Sequence, residues 1–424
     1  MDLSPPRGTS DLLPPRSETL LHLYEEAHRA ARLTGFRYLE TPTFEHTELF
    51  ARTAGETSDV VTKEMYTFVD KGGRSLTLRP EQTAGVVRAY LQHAHDLPWP
   101  FKGYYVGAQF RHGRPQAGRL RELRQWGVEV IGAAGAAADA EVIALADRYL
   151  RSRGLRGVVL HLNSIGDPIC RPAYREQLIA HLEPHLDELD EDCRTRLRTN
   201  PLRILDCKVD GSKAFVLDAP LISDHLCDAC AAHFSEVRAA LDASGVAYEH
   251  DPRLVRGLDY YTRTAFEFMS GSLSRSQGTV CAGGRYDGLA ETLDGPPTPG
   301  VGFGLGLDRV LLAMEADGAA MPEGRGPTCF VVAIGDAAGD ARRRLVSGLR
   351  EAGVAAASAY EERPLKAQLK MADRAGAAFV AILGDRELAE VTVTLRRLVD
   401  GVQKTVPAAD AVSWLTRLDG WTDP

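Results

Sequence analysis

Tyr104-Tyr-Val-Gly-Ala-Gln-Phe-Arg111 and Arg124-Gln-Trp-Gly-Val-Glu-Val-Ile131 read as two strands, and residues 112–122 between them hold glycine, proline and arginines in place of an apolar period. Two strands joined by a long basic loop predict an antiparallel hairpin. Side chains alternate along a strand, so Gln125, Gly127 and Glu129 share one face. An arginine on the facing strand, Arg111, could hold a phosphate against that face by charge-assisted hydrogen bonds. A surface hairpin with cross-strand ion pairs explains the same residues.

Before the hairpin, residues 17–33 place Leu20, Leu23, Ala27, Ala30 and Ala31 at helical spacing, and Thr34-Gly35 stops the helix. Residues 36–44 read as a strand that Pro42 interrupts, which suits an edge or a kink meeting another chain. Residues 74–78 read as a strand, followed by Pro80 and a helix over 81–91. After the hairpin comes a helix over 139–153. Residues 168–247 are densely charged with helical spacing and read as a mostly helical insertion. Strand-like sequence returns over 254–269 and 279–284, and a glycine-rich strand from Gly300 enters a helix at Arg309. Past a Gly/Pro-rich linker at 322–327, strands and helices alternate, which predicts a small α/β domain. The expected fold is therefore α+β: an antiparallel sheet core (1–167 and 248–322) carrying a helical insertion (168–247), then a separate α/β domain (327–424).

The 424-residue length exceeds what one core usually serves, in keeping with several domains. No apolar run approaches the roughly 18 residues of a membrane span. No export signal opens the chain, and seven irregularly spaced cysteines predict free thiols in a reducing cytoplasm. A net charge of -8 does not exclude nucleic acid, because phosphate binding depends on local basic patches. Two such patches are the arginines at 111, 114, 119, 121 and 124 and the triplet at 342, 343 and 344, although a solvated helix face explains the triplet equally well.

Four further stretches could carry chemistry. In Leu78-Arg-Pro-Glu-Gln-Thr83, Glu81 and Thr83 could hold an ammonium, though a helix start with Glu81 complementing the dipole is the plainer account. Leu254-Val-Arg-Gly-Leu-Asp-Tyr-Tyr-Thr-Arg-Thr264 packs polar and aromatic groups that are costly to bury unpartnered. An imidazole pocket would use tyrosine hydroxyls and a carboxylate for the ring nitrogens and an arginine for a carboxylate or phosphate; an exposed strand with alternating charge is the alternative. Gly283-Gly-Arg-Tyr-Asp-Gly288 would line the same cavity or form a simple turn. Glycines at 300, 302, 304 and 306 leave one strand face bare for a flat ligand, with Arg309 just beyond; tight helix–strand packing is the alternative. Cys227-x-x-Cys230 has metal-ligand spacing, but with no second cysteine pair at fixed spacing it reads as thiols, with no metal site expected.

In order and spacing these pieces resemble the histidyl-tRNA synthetases, a bacterial-type class II family, over essentially the whole chain. The resemblance rests on Gly8-Thr-Ser-Asp11, the segment around Pro42, Leu78-Arg-Pro-Glu81, Phe110-Arg111, Asn200-Pro-Leu-Arg-Ile-Leu-Asp206, Leu254-Val-Arg-Gly-Leu-Asp-Tyr-Tyr261, Gly304-Leu-Gly-Leu-Asp-Arg309 and Leu365-Lys-Ala-Gln-Leu-Lys370. It implies a histidine–tRNA ligase that activates L-histidine with ATP and Mg2+ and charges tRNA(His), as a homodimer around Pro42. Glu81 and Thr83 would hold the histidine ammonium, with Gln125 and Glu129 completing that side and Tyr260, Tyr261 and Tyr286 around the imidazole. Arg111, Arg309 and Gly304 would bind ATP, with Arg111 and Arg256 acting on the α-phosphate. The loop at 114–119 would meet the acceptor end and the C-terminal domain the anticodon.

The chain departs from the family at Gly113, where a glutamate is usual, and at Leu123-Arg124, where Phe-His is usual. Loss of an aromatic that stacks on adenine, worth on the order of 1–3 kcal/mol, predicts weakened ATP binding. Two rival readings follow: a histidine-sensing regulatory subunit, or an activating enzyme with another acceptor.

Overall fold

The computed structural model describes residues 3–55, 60–113, 118–274, 277–321, 326–335 and 337–417. It has two compact units, Met1–Leu12 with Thr19–Met321, and Leu13–Glu18 with Pro322–Pro424.

The hairpin is present and central. Strands Phe101–Phe110 and Glu122–Ile131 pair antiparallel, with Gln125 opposite Gly107 and Glu129 opposite Gly103. They sit in an eight-stranded sheet whose order is 37–38, 101–110, 122–131, 300–306, 279–285, 262–270, 158–164, 249–250. The first and last pairings are parallel and the rest antiparallel, which gives the expected α+β core. Helix Arg16–Leu33 buries Leu20, Leu23, Ala27 and Ala31, one stripe at three- and four-residue steps. Helices Ala136–Ser152 and Asp228–Ala243 bury their apolar faces in the same core, around Trp126, Phe266 and Phe303.

Residues 36–44 are not one strand. Arg37–Tyr38 joins the large sheet, whereas Phe44–His46 pairs with Ser75–Leu78 in a separate three-stranded sheet completed by Tyr66–Val69. Pro42, which lacks an N–H for either ladder, lies in the crossing. Residues 254–261 are irregular, and the strand begins only at Thr262. Gly257 lies in a bend of this segment, and the left-handed Arg263 (φ +51°) sits inside the strand, at the register shift between the Thr262–Arg285 and Ala265–Gly284 pairs.

Between the strand Val158–Ser164 and the short strand Glu249–His250 the described elements are helical, and those over 171–225 have their own apolar cluster around Tyr174, Leu178, Leu197 and Val216. The C-terminal unit has a five-stranded sheet ordered 356–358, 329–333, 379–383, 392–397, 403–407. Its last two strands form an antiparallel hairpin that simple alternation of strand and helix does not foresee. Part of the 322–327 linker and residues 114–117 of the basic loop lie outside the described residues.

Candidate active site

A cavity of about 450 Å³ opens over the hairpin and the glycine strand. Among its lining residues are Glu81, Thr83, Arg111, Gln125, Arg256, Tyr260, Tyr261, Gly304 and Arg309. Glu129 and Tyr286, predicted for the same site, lie just beneath that lining and are almost fully buried.

One end is acidic. Glu81 precedes helix Thr83–His93, and its carboxylate accepts the N–H groups of Thr83 (2.7 Å) and Ala84 (3.0 Å). The helix-start account thus holds for this side chain, which also lines the cavity. Burial pushes its carboxyl above the usual range, against those hydrogen bonds. Glu129 accepts the Thr83 hydroxyl at 2.7 Å, the Tyr286 hydroxyl at 2.5 Å and the Tyr105 hydroxyl at 3.4 Å. Burial still pushes it up to about 8, with Glu81 adding to the rise. Two buried carboxylates pushed upward make a place that favours a cationic ligand group. Above them the Tyr260 and Tyr261 rings are 4.7 Å apart, and Tyr260 meets Tyr286 edge-on at 5.9 Å.

The other end is cationic. Arg111 is braced by the Pro80 carbonyl (2.7 Å), and Arg309 by the carbonyls of Gly118 (3.1 Å) and Thr279 (2.6 Å). Burial lowers the Arg309 pKa, and repulsion from Arg111 and Arg119 lowers it further. Polyanion binding relieves that repulsion. Between the two ends, Arg256 lies over the Tyr261 ring at 5.3 Å and pairs with Glu267, whose other oxygen accepts the Thr279 hydroxyl. Burial opposes its charge most strongly, but Glu267, Tyr261 and Tyr260 together outweigh burial and raise the pKa. Its Nε is buried without a protein partner, a donor left available to a ligand.

The glycine row divides into two halves. A Cβ at Gly300 would lie 2.2 Å from the Tyr286 ring and one at Gly302 would lie 1.8 Å from the Glu129 carboxylate, so these glycines make room for site side chains. At Gly304 and Gly306 the nearest atoms are 3.6 and 3.8 Å away, and this half faces the cavity. Gly283 and Gly284 do not line it: they pack against Gly302 and Tyr261, and Arg285 is buried in an ion pair with Asp139. The expectation that this segment lines the pocket holds for none of the three.

The two departures have structural counterparts. Arg124 donates to Asp308 through both its backbone N–H (2.7 Å) and its guanidinium (3.1 Å), tying the hairpin to helix Leu307–Asp317. Leu123 remains in the cavity wall. Beside Gly113, a Cβ would meet the Glu64 carboxylate at 3.2 Å, and the Glu64 carbonyl accepts the His112 N–H at 2.7 Å. Glu64 pairs with Arg119 in the cavity wall. Sequence reasoning missed Glu64, Glu267, Tyr105, Arg203 and Lys208 as lining residues. Only Arg203 carried a signal, in the 200–206 segment.

No described helix is long and apolar enough to cross a membrane. The profile of the family described as "Histidyl-tRNA synthetase" matches residues 8–310, and that described as "Anticodon binding domain" matches residues 328–418. The chain is 49% identical over 421 residues to the histidine–tRNA ligase of Moorella thermoacetica, covering 99% of each. It is 48% identical over 413 residues to that of Geobacillus thermodenitrificans, covering 97% of each. The apo histidyl-tRNA synthetase of S. aureus matches with a TM-score of 0.83 at 39% identity, over 98% of this chain and 100% of that one.

Proposed function

The chain belongs to the histidyl-tRNA synthetase family and is a histidine–tRNA ligase, and on that premise we propose how its residues divide the reaction. The observation that carries the assignment is the two-ended cavity, with buried carboxylates at one end and crowded arginines at the other. An amino acid's ammonium fits the first and a nucleotide's phosphates the second.

Glu81 and Thr83 receive the histidine ammonium, with Gln125 beside them. Glu129 holds the hydroxyls of Thr83 and Tyr286 in register from below. Tyr260 and Tyr261 wall the imidazole. Arg111 and Arg309 hold the phosphates of ATP over the open half of the glycine strand. The histidine carboxylate attacks the α-phosphorus, an acyl–phosphate bond forms, and the bond to pyrophosphate breaks. Arg256, with its unpartnered Nε between the two ends, stabilises the charge growing on the α-phosphate. The tRNA 3′-terminal hydroxyl then attacks the acyl carbon and AMP leaves. Magnesium enters with the nucleotide as part of that substrate, and no residue is assigned to it.

Residues 328–418 serve the anticodon end of tRNA(His). The acceptor-end role of the basic loop falls largely on residues 114–117, outside the described ones. A homodimer built on the 44–46 edge is supported by exposed Phe44, Phe68 and Val69 on the small sheet next to Pro42. Seven cysteines without a disulfide suit the cytoplasm. The sensing and alternative-acceptor readings lose ground to full-length likeness with ligases.

The division of labour is tested by steady-state kinetics on two variants. Glu81→Gln is expected to raise KM for histidine with little change for ATP, and Arg309→Gln the reverse. Equal effects of both variants on both substrates would refute the two-ended assignment.

A further inference from the structure

Cys227 and Cys230 are not an isolated pair. Asp167 and Cys170, just beyond the strand Val158–Ser164, meet them, and one ligand atom from each of the four lies within 4.8 Å of the others. Cys170 Sγ is 3.8 Å from Cys230 Sγ and 3.6 Å from Asp167 Oδ1, and Cys227 Sγ is 4.0 Å from that same oxygen. A disulfide needs about 2.05 Å, so the sulfurs are not bonded to one another. Their spacing matches a different object. Metal bonds of about 2.3 Å to sulfur and 2.0 Å to oxygen, arranged tetrahedrally, give edges of about 3.8 Å between sulfurs and about 3.5 Å from sulfur to oxygen.

The surroundings fit a bound cation. The Asp167 N–H donates to Cys170 Sγ at 3.3 Å, and the Cys230 N–H donates to the Cys227 sulfur across the start of helix Asp228–Ala243. Arg263 holds the second oxygen of Asp167 at 3.3 Å, and Oδ1, which faces the cysteines, also accepts the N–H groups of Ile169 (3.0 Å) and Cys170 (3.4 Å), contacts that orient a ligating carboxylate. Gly166 adopts φ +66° at a point where a Cβ would lie 2.8 Å from Cys170 Sγ. Three thiolates and a carboxylate carry four negative charges, which a divalent ion with Arg171 and Arg263 balances. Thiolate-rich tetrahedral sets select zinc over magnesium or calcium.

We propose that Asp167, Cys170, Cys227 and Cys230 bind a structural zinc ion that closes the base of the helical insertion. The site also borders the histidine pocket: Arg171 donates to the Tyr261 carbonyl at 2.7 Å, and Arg263 exchanges backbone hydrogen bonds with Ile165 and Gly166. A second cluster, Asp190, Cys193, Cys207 and Asp210, already holds an internal cation, since the Lys213 ammonium lies 2.7 Å from Asp210 Oδ1. It therefore serves as the control.

The test is elemental analysis of the full-length protein after exhaustive dialysis. The expected result is about one zinc ion per chain that is lost in Cys227→Ser and Cys230→Ser and kept in Cys207→Ser. Zinc absent from the wild type, or lost only with Cys207→Ser, would overturn the proposal. Should the serine variants fail to fold, Co2+ added to metal-stripped wild type decides. Thiolate charge-transfer and tetrahedral d–d bands support the site, and an octahedral spectrum rejects it.

Discussion

Glu129 takes hydrogen bonds from three hydroxyls, yet burial pushes its carboxyl up to about 8 from an ordinary 4.5. A folded-state value above the unfolded one means that folding takes up a proton between these limits. The stability contribution is full below 4.5 and is lost as pH rises through about 8. Glu129→Gln is therefore expected to raise the Tm of the ligand-free protein more at pH 8 than at pH 5, while histidine binding weakens; a Tm difference independent of pH would contradict this. Arg256→Ala should lower kcat of adenylate formation about 10²–10³-fold with a smaller change in the histidine KM, as single-turnover kinetics would report. Beside Gly113, the Glu64 carboxylate lies 3.2 Å from where a Cβ on that residue would stand. Glu64→Gln should raise KM for ATP roughly tenfold, about 1.4 kcal/mol, and an unchanged value would remove Glu64 from the nucleotide site. Much of the cavity lining was legible in the sequence, because Glu81, Thr83, Gln125, Arg111, Arg256 and Arg309 lie in motifs of fixed spacing. Glu64 was not, because its partner Arg119 is 55 residues away along the chain, and Glu267 was not, because only the folded loop and strand pairing bring Arg256 and Thr279 to it.

The glycine strand shows what an element adds to a motif. Its four glycines look equivalent in the sequence, but two are spaces for Tyr286 and Glu129 and two form the open floor of the cavity. Gly302→Ala should cost about 1–3 kcal/mol of stability through the clash with Glu129, visible as a lower denaturation midpoint. Gly304→Ala, with 3.6 Å of clearance, should keep its midpoint and instead impair ATP binding. The hairpin was legible because alternation and a basic loop agree over 28 residues, and its register follows from that alternation. The segment 254–261 misled because its apolar and aromatic content suits a strand, whereas its work requires a loop that aims Tyr260, Tyr261 and Arg256 into one cavity. The same limit hid the cysteine cluster, since Cys170 and Cys230 are 60 residues apart and only the fold joins them.

At the scale of the molecule, the two units have separate apolar cores, one around Trp126 and Phe303 and the other around Val331, Leu349 and Leu395. The α/β character of the second was legible from its alternating elements, and the closing hairpin over 392–407 had a local signal that strand–helix alternation passes over, since Asp400-Gly401 lies in a connection too short for a crossover. Removing the residues from 328 onward should leave histidine-dependent pyrophosphate exchange measurable and abolish most tRNA charging; loss of both activities together would tie the two units more closely than their cores imply. The central claim is that this cavity activates histidine despite Gly113 and Leu123. Its most direct test is ATP–pyrophosphate exchange with each amino acid separately, followed by charging of tRNA(His). Exchange with histidine alone, followed by charging, is the predicted result. Histidine binding without exchange would contradict the account and mark the chain as a sensor.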